Sequence, residues 1–218
     1  MFPLIINILG GGPANYHPNL EEYDSRESWW LGVDKGVFTL LAAGIKPDYA
    51  FGDFDSVTEE EWTQIQKEVQ NLHTFKPEKD ETDMELALDW ALAKRPEKIR
   101  VFGGTGGRLD HFLGNVQILL KAELNGLPTQ IEMIDRQNHL FVKGPGSHSV
   151  EKMTNRKYIS FVPVTPVVKG LTLERFKYPL NNCHISLGST LCISNELVSD
   201  FGTFSFTEGI VLVIRSND

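Results

Sequence analysis

Hydrophobic residues follow two different patterns along the chain of 218 residues. In the first part, short continuous apolar runs alternate with segments in which apolar residues recur every three or four positions. Continuous runs are typical of parallel strands that are covered on both faces, and the longer period is typical of helices. This pattern predicts an α/β region with strands at 4–9, 29–33, 49–51, 72–75 and 98–102 and helices beginning near residues 37, 59, 83 and 111.

After Pro128 the pattern changes to short apolar segments that are separated by turn residues. No helix of normal length is evident there, so we expect an α/β domain at 1–126 followed by an all-β domain at 127–218, either a sandwich or a barrel. The candidate strands of the second domain are 129–134, 139–142, 148–150, 158–164, 170–173, 184–187, 190–194, 203–206 and 210–214.

The charge distribution narrows the range of ligands. The first 126 residues contain 21 of the 29 acidic residues but only 12 of the 21 basic ones. Sequence-independent binding of nucleic acid needs many basic groups, and a net acidic chain is a poor candidate for it. An acidic region that binds a phosphate-bearing ligand therefore needs a metal ion between the two.

The composition favours a cytoplasmic protein. The chain is 41% hydrophobic and 23% charged, as in ordinary soluble domains. No apolar stretch approaches the length of a membrane span, and no basic leader precedes the first apolar run. Cys183 and Cys192 lack the spacing of metal ligands, so we expect them to be buried, inert thiols.

Two aspartates follow the third predicted strand, in the motif Gly52-Asp53-Phe54-Asp55-Ser56. Because side chains alternate along a strand, both carboxylates point to the same side. Mg²⁺ commonly takes one or two protein carboxylates and fills its other positions with water and substrate phosphate. A solvated turn is the alternative for an isolated pair. The other acidic and glycine-rich motifs of this region favour the cation site.

Further carboxylates stand at loop positions. Asp34 follows the second predicted strand, where ligands bind in open α/β sheets, although it could instead cap the next helix. Asp80 lies in a loop, and Thr82 with Glu85 predicts a capping box that places Asp83 in the first helical turn. Stabilisation by the helix dipole is the alternative explanation for Asp83.

Two glycine clusters follow predicted strands. Gly10-Gly11-Gly12 could expose backbone N–H groups to a phosphate, and a plain tight turn explains it equally well. In the second cluster, 103–107, four of five residues are glycine, and each one costs backbone entropy. Such a loop suits an anion, and Arg108 adds donors for phosphate oxygens. A flexible linker is the alternative.

One polar motif interrupts the strands of the second domain. Ser194-Asn195-Glu196 offers small hydrogen-bonding groups to a ligand, but by itself the motif predicts only a turn.

Taken together and in this order, the motifs resemble the thiamine pyrophosphokinase family. The matching stretches include a third acidic motif, Lys79-Asp80-Glu81-Thr82-Asp83, and the segment from Gly103 to His111. The chain departs from the family at Glu81, where an apolar residue is commoner, and at Asp34-Lys35-Gly36, where Asp-Gly-Gly is commoner. Neither departure removes a carboxylate.

The resemblance implies a Rossmann-like N-terminal domain that binds ATP and a C-terminal β-sandwich, paired as a homodimer that binds thiamine near its interface. The implied reaction transfers the pyrophosphoryl group of ATP to the hydroxyl of thiamine, giving thiamine diphosphate and AMP.

The resemblance also implies roles for individual residues. Asp53, Asp55 and Asp83 would bind Mg²⁺, while Asp34, Asp80 and Asp110 would surround ATP and the metal waters. We expect the catalytic carboxylates to be Asp53, Asp55, Asp80, Asp83 and Asp110, the phosphate contacts to be Gly104, Gly106, Gly107 and Arg108, and the thiamine contacts to be Ser194 and Asn195, supplied by the partner subunit.

Two other functions compete with this one. A Mg²⁺-dependent phosphohydrolase with an Asp nucleophile would need neither the glycine-rich loop nor an all-β domain. A non-catalytic protein that binds thiamine or nucleotide would not need the clustered acids. The sequence does not identify the group that accepts the hydroxyl proton.

Overall fold

A computed structural model describes residues 4–54, 57–74 and 80–218. It divides the chain into two compact units, Met1–Arg136 and Gln137–Asp218. In the first unit, strands and helices alternate as the hydrophobic pattern predicts. Its elements are β1 (Ile5–Leu9), β2 (Ser28–Val33), α1 (Lys35–Ala42), β3 (Tyr49–Gly52), α2 (Glu59–Glu68), β4 (Asn71–Thr74), α3 (Asp83–Ala93), β5 (Lys98–Phe102), α4 (Leu109–Ile118), α5 (Lys121–Leu124) and β6 (Gln130–Ile134).

The strands of the first unit form a parallel sheet in the order β6-β5-β1-β2-β3-β4. Helices cover both of its faces, as two adjacent residues of β2 demonstrate. Trp30 packs in a cluster with Leu40 of α1, whereas Trp29 lies 6.3 Å from the ring of Trp90 in α3. Since adjacent side chains of a strand point to opposite faces, α1 and α3 lie on opposite sides of the sheet. Burial on both faces explains the continuous apolar runs.

The helices of this unit begin and end where the sequence signals predict. Thr58 and Glu61 form a complete capping box at α2, and Thr82 Oγ1 accepts a hydrogen bond from the backbone N–H of Glu85 at α3. Gly44 follows α1 with a φ of 76°, which is the left-handed conformation that commonly ends a helix. The N-terminal caps of α2 and α3 help to fix the loops at the carboxyl edge of the sheet, whereas Gly44 ends α1 at the opposite edge. Within the part of the chain that the structure describes, no helix is long and apolar enough to cross a membrane.

The second unit contains two antiparallel sheets, in the orders β12-β9-β14-β7 and β11-β10-β13-β8. Apolar side chains of both sheets form one buried cluster that includes Phe161 and Phe204. The strands are β7 (Asn138–Lys143), β8 (Gly146–Glu151), β9 (Tyr158–Pro163), β10 (Val167–Glu174), β11 (Leu180–Ser186), β12 (Asn195–Glu196), β13 (Phe201–Phe206) and β14 (Val211–Ser216).

The boundary between the units differs from the one expected at 126/127. Strand β6 pairs in parallel with β5, from Lys98 opposite Gln130 to Val101 opposite Met133, and so belongs to the first unit. A short strand has the same hydrophobic pattern in a parallel and an antiparallel sheet. The sequence alone therefore did not show that β6 belongs to the first unit. The helix expected over 111–124 is also divided, into α4 and α5.

The strand predicted at 190–194 was wrong. Residues 191–194 form a turn and a bend, with Leu191 and Ile193 exposed and Cys192 buried. Ser194 has a φ of 59°, which lies outside the β region. Pairing begins only at Asn195, opposite Ile159 of β9.

The first turn of α1 lies directly against the end of β1. A Cβ atom on Gly36 would overlap the carbonyl oxygen of Leu9, so only glycine permits this approach. Gly36 itself is buried. The contact brings the start of α1 to the carboxyl edge of the sheet.

We therefore expect Gly36→Ala to destabilise the protein by about 2 kcal/mol or more, because the new methyl group would push helix and strand apart. The matched control is Gly114→Ala in α4, where an added Cβ meets no atom within 4 Å. Since alanine is the better helix former, the control should be stabilising by about 0.5–1 kcal/mol. Urea unfolding midpoints measure both changes, and equal effects of the two substitutions would contradict the close packing.

Candidate active site

Three carboxylates lie together at the carboxyl edge of the parallel sheet. Asp34 follows β2, Asp53 follows β3, and Asp83 is the first residue of α3. One oxygen of each carboxylate lies within 4.8 Å of the others, and all three side chains are partly buried. Carboxylates so close together repel one another, and a divalent cation would relieve that repulsion. The donor set of three carboxylates suits a hard cation such as Mg²⁺.

The backbone at Asp34 explains how its carboxylate reaches the cluster. Its φ of 50° and ψ of −122° are values that glycine adopts in a type II′ turn. Such a conformation costs about 1–3 kcal/mol for a residue with a side chain. The backbone N–H of Asp34 donates to the carbonyl of Phe51 at 2.9 Å, which ties the corner to β3. A Cβ on Gly52 would overlap Asp34 Oδ1, so glycine at that position admits the carboxylate.

The sequence left two interpretations of Asp34 open, a ligand contact and a helix cap, and the geometry distinguishes them. Although Asp34 occupies the N-cap position of α1, its side chain makes no capping hydrogen bond in the described structure. It lies instead with Asp53 and Asp83. Asp55, the other metal ligand that we expected, lies outside the described residues. Asp80 is described and exposed, but it is not a member of this cluster.

The two glycine loops of the first unit lie side by side. The N–H groups of Gly10 and Gly12 donate to the carbonyls of Phe102 and Gly103, at 2.9 and 3.1 Å. A Cβ on Gly103 would lie 2.5 Å from the carbonyl oxygen of Gly10, so the two backbones pack without side chains between them. Gly104 is buried, and its carbonyl accepts a hydrogen bond from Asn115, whereas Gly106 and Gly107 are exposed with positive φ. The exposed end of the second loop is thus open to a ligand.

Arg108 and Asp110 form an exposed pair after this loop. Arg108 Nε and one terminal nitrogen, Nη2, donate to the two carboxylate oxygens of Asp110, at 3.1 and 2.5 Å. The hydrogen bond from Arg108 lowers the pKa of Asp110 to about 2. Because the side chains are 73% and 64% exposed, water screens the pair and it adds little stability. The two hydrogen bonds align the guanidinium with the Asp110 carboxylate directly after the glycine loop.

His17 connects the two glycine loops, and no sequence motif indicates this role. Its ring forms a hydrogen bond with the backbone of Gly12, and its Nε2 lies 3.2 Å from the position of a Cβ on Gly103. Nε2 is buried and has no hydrogen-bond partner within 4–54, 57–74 and 80–218. Burial lowers the pKa of His17 and so favours the neutral form of the imidazole beside the loops.

Ser194 and Asn195, the predicted thiamine contacts, belong to the second unit. Ser194 is exposed, and its N–H donates to Ser160 Oγ at 3.0 Å. Asn195 is only 3% exposed, and its amide is hydrogen-bonded to the backbone of Tyr178. The two neighbours therefore differ: Ser194 faces solvent, whereas the Asn195 side chain is occupied within the protein.

Carboxylates and glycine loops at the carboxyl edge of a parallel sheet define the class of α/β proteins that act on phosphate-bearing ligands. Comparison with known proteins identifies the family within that class. The family model for the thiamin pyrophosphokinase catalytic domain matches residues 20–131, and the model for the thiamin pyrophosphokinase vitamin B1 binding domain matches residues 147–211. The chain belongs to the thiamin pyrophosphokinase family.

Relatives match along nearly the whole chain. A thiamine pyrophosphokinase of Bacillus subtilis strain 168 is 55% identical over 213 residues, covering 98% of this chain and 99% of the relative. A crystal structure of thiamine pyrophosphokinase from Bacillus subtilis has a TM-score of 0.93 at 55% identity and covers 98% of this chain and 99% of its own. A crystal structure from Geobacillus thermodenitrificans has a TM-score of 0.90 at 50% identity, with coverage of 99% and 98%.

These matches confirm the family and the enzyme that the sequence motifs predicted. The family consists of kinases that use ATP, and its second domain is named for binding vitamin B1. The roles predicted for individual residues, including those of Asp80 and Asp110, stay predictions.

We expect Asp53→Asn and Asp83→Asn each to reduce turnover roughly a hundredfold or more, because each removes one charge from the cation site. The fold should persist, since both side chains lie at the edge of the sheet and not in its core. The matched control, Glu60→Gln in the exposed first turn of α2, removes the same charge elsewhere. Steady-state kinetics across a Mg²⁺ titration, with circular dichroism, measure both effects. Near-normal activity of either variant would contradict the site.

A second prediction concerns the protonation of His17. Because burial lowers its pKa, the unfolded chain takes up a proton at higher pH than the folded protein does. The free energy of unfolding should therefore decrease as the pH falls through the ordinary histidine range, and His17→Gln should remove that contribution. An NMR titration assigned with this variant gives the pKa directly. Titration at or above the ordinary histidine value would contradict the buried, neutral ring.

Proposed function

We propose that the chain transfers the pyrophosphoryl group of ATP to the hydroxyl oxygen of thiamine with the aid of Mg²⁺ held at the carboxylate cluster. The single observation that carries this proposal is the convergence of Asp34, Asp53 and Asp83 at the carboxyl edge of the sheet. Family membership supports thiamine as the acceptor. The geometry supports a metal-assisted reaction of a nucleotide.

The cation would be held by these three carboxylates, with Asp55 as a further proposed ligand. When bound, Mg²⁺ supplies positive charge that neutralises phosphate oxygens and acidifies a coordinated hydroxyl. Three carboxylates would still leave positions at an octahedral Mg²⁺ for water and for phosphate oxygens of the substrate. The acidic first unit would otherwise repel ATP, so the carboxylates serve to recruit the cation.

The phosphates of ATP would bind beside the glycine loops. Backbone N–H groups near Gly106 and Gly107 can approach an anion closely because no side chains intervene. Arg108 would donate to phosphate oxygens, and Asp110 holds its guanidinium in position. We propose Asp80 for the same surroundings, where it would hydrogen-bond metal-bound water.

The reaction is an in-line displacement at the β-phosphorus of ATP. A bond forms from the thiamine hydroxyl oxygen to the β-phosphorus, the bond from that phosphorus to the oxygen bridging to the α-phosphate breaks, and AMP leaves with that oxygen. The hydroxyl proton passes to solvent or to a carboxylate of the site. A carboxylate beside a cation is a weak base, so this chain contributes mainly by positioning the reactants and neutralising their charge.

The second unit would bind thiamine through Ser194, which is an exposed residue. We further propose that the first unit is a Rossmann-like ATP domain, that the second is a thiamine-binding β-sandwich, and that two chains form a homodimer in which the partner supplies thiamine contacts. Two antiparallel sheets with a shared apolar cluster support the sandwich. The cytoplasmic location and the absence of a nucleic-acid partner stay predictions from the sequence.

The test is to incubate the purified chain with ATP, Mg²⁺ and thiamine, omit each component in turn, and identify the nucleotide product. AMP should form in equal amount to thiamine diphosphate, and only when all three components are present. EDTA should abolish the reaction, and excess Mg²⁺ should restore it.

Other products would overturn the proposal in distinguishable ways. ADP with thiamine monophosphate would indicate a simple kinase. Free phosphate formed without thiamine would indicate a phosphohydrolase. Thiamine binding without any nucleotide product would indicate a binding protein.

A further inference from the structure

Five aromatic rings pack together on the face of the parallel sheet that α3 covers. They belong to Trp29 of β2, Tyr49 and Phe51 of β3, His73 of β4 and Trp90 of α3. The ring of Trp90 is a neighbour of all the others, with centroids 4.3 Å from Tyr49, 5.6 Å from Phe51, 6.0 Å from His73 and 6.3 Å from Trp29. Through this one side chain, α3 packs against three strands.

The contacts with β3 bracket Trp90 along that strand. Tyr49 and Phe51 are two residues apart, so their side chains lie on the same face of the sheet. The Trp90 ring is inclined by 50° to Tyr49 and by 64° to Phe51, and the energy of such ring pairs depends on their geometry. His73 stacks on Phe51 from β4, with centroids 4.7 Å apart. Movement of α3 along β3 would therefore disturb both contacts of Trp90.

The rest of the buried face of α3 opposes such movement less. Ala87, Leu88 and Ala91 are fully buried. Two of them carry only a methyl group, and the burial of apolar surface has no preferred direction. Lys94 adds to the restraint on Trp90, because its Nζ lies 4.4 Å from the centre of the indole ring and a cation is attracted to the face of that ring.

The spacing along helix and strand carries this restraint to the carboxylates. Asp83 lies seven residues before Trp90, which is about two turns and about 10 Å along the same side of the helix. Asp53 follows Phe51 by two residues and Tyr49 by four, which is roughly 7 and 13 Å along a strand. The distance along the helix falls between the two distances along the strand. With Trp90 against Tyr49 and Phe51, Asp83 therefore comes to lie beside Asp53, as it does in the carboxylate cluster.

We propose that Trp90 is a positioning residue for the cation site, which acts through Asp83 by fixing α3 along β3. This inference rests on the proposed function, because it concerns the cation of that reaction. Mg²⁺ demands near-ideal octahedral geometry with short bonds, whereas Ca²⁺ accepts longer bonds and more flexible geometry. Displacement of one carboxylate therefore weakens a site for Mg²⁺ more than a site for Ca²⁺. The packing of Trp90 thus favours the smaller cation.

Calorimetric titration of the purified chain with Mg²⁺ and with Ca²⁺ tests this role without turnover. We expect Trp90→Ala to weaken Mg²⁺ binding about tenfold but Ca²⁺ binding no more than about threefold, because a displaced Asp83 suits the larger ion better. Trp90→Phe keeps an aromatic ring against Tyr49 and Phe51 and should retain most of the Mg²⁺ affinity. Unchanged Mg²⁺ affinity in Trp90→Ala, or an equal loss for the two ions, would overturn the inference.

The matched control is Ile45→Ala. Ile45 is 4% exposed and packs in the cluster of Trp30 and Leu40, on the face of the sheet opposite to α3. Its truncation removes buried apolar surface and so lowers stability. Both cation affinities should stay within about twofold of wild type. A loss of Mg²⁺ affinity as large as that of Trp90→Ala would show that general destabilisation, and not the position of α3, is responsible.

A double-mutant cycle tests whether Trp90 acts through Asp83. Asp83→Asn removes the charge that α3 supplies to the site, so Trp90→Ala should weaken Mg²⁺ binding little further in that variant. Additive losses would overturn the route through Asp83. If circular dichroism shows that Trp90→Ala does not fold, Trp90→Leu takes its place, because it keeps an apolar side chain but has no ring.

The inference and the proposed function fail differently. If the wild-type chain binds no Mg²⁺ and forms no AMP with thiamine, the proposed function is wrong. If the wild-type chain forms AMP but binds Mg²⁺ only together with ATP, the Mg²⁺ concentration for half-maximal AMP formation replaces the calorimetric affinity, and Trp90→Ala should raise it about tenfold. If the wild-type chain is active and Trp90→Ala requires no more Mg²⁺ than wild type, only the inference is wrong.

Discussion

Direct packing of backbone against backbone at the carboxyl edge of the parallel sheet is the constraint on which the first unit depends. Gly36 brings α1 against the end of β1, and Gly52 admits the carboxylate of Asp34. Gly12 and Gly103 join the loops that follow β1 and β5. Each glycine loses more backbone entropy on folding than another residue would, so this edge is unfavourable for local stability. Burial of apolar side chains on both faces of the sheet offsets that loss.

Much of this arrangement was predictable because its causes are local. Alternating apolar periods located the strands and helices, and Thr58 and Thr82 marked where two helices begin. Acidic residues that follow neighbouring parallel strands must meet at one edge, so Asp34 and Asp53 were predictable as neighbours. The hydrophobic pattern could not assign β6, because the identity of a strand's partner is a property of the whole sheet.

The remaining features depend on contacts between residues that are distant in sequence. The inclusion of Asp34 in the cluster requires a positive φ and the space left by Gly52. His17 carries no motif, and its contact with both glycine loops appears only when β1 and β5 are paired. Asn195 resembled a ligand contact because buried and exposed asparagines look alike in a sequence. Its hydrogen bonds to Tyr178 distinguish the two cases.

The backbone of Asp34 has a consequence for how such chains change over time. Glycine would adopt the conformation at position 34 without strain. Random substitution followed by selection for stability alone would therefore favour replacement of the aspartate by glycine. Protein engineering that ranks substitutions by thermal stability would favour the same change. At position 34 glycine would be the more stable residue, but it has no carboxylate. Ligand binding, and not folding, therefore maintains the aspartate. Sequence drift at position 34 would therefore report whether a descendant chain still uses the site.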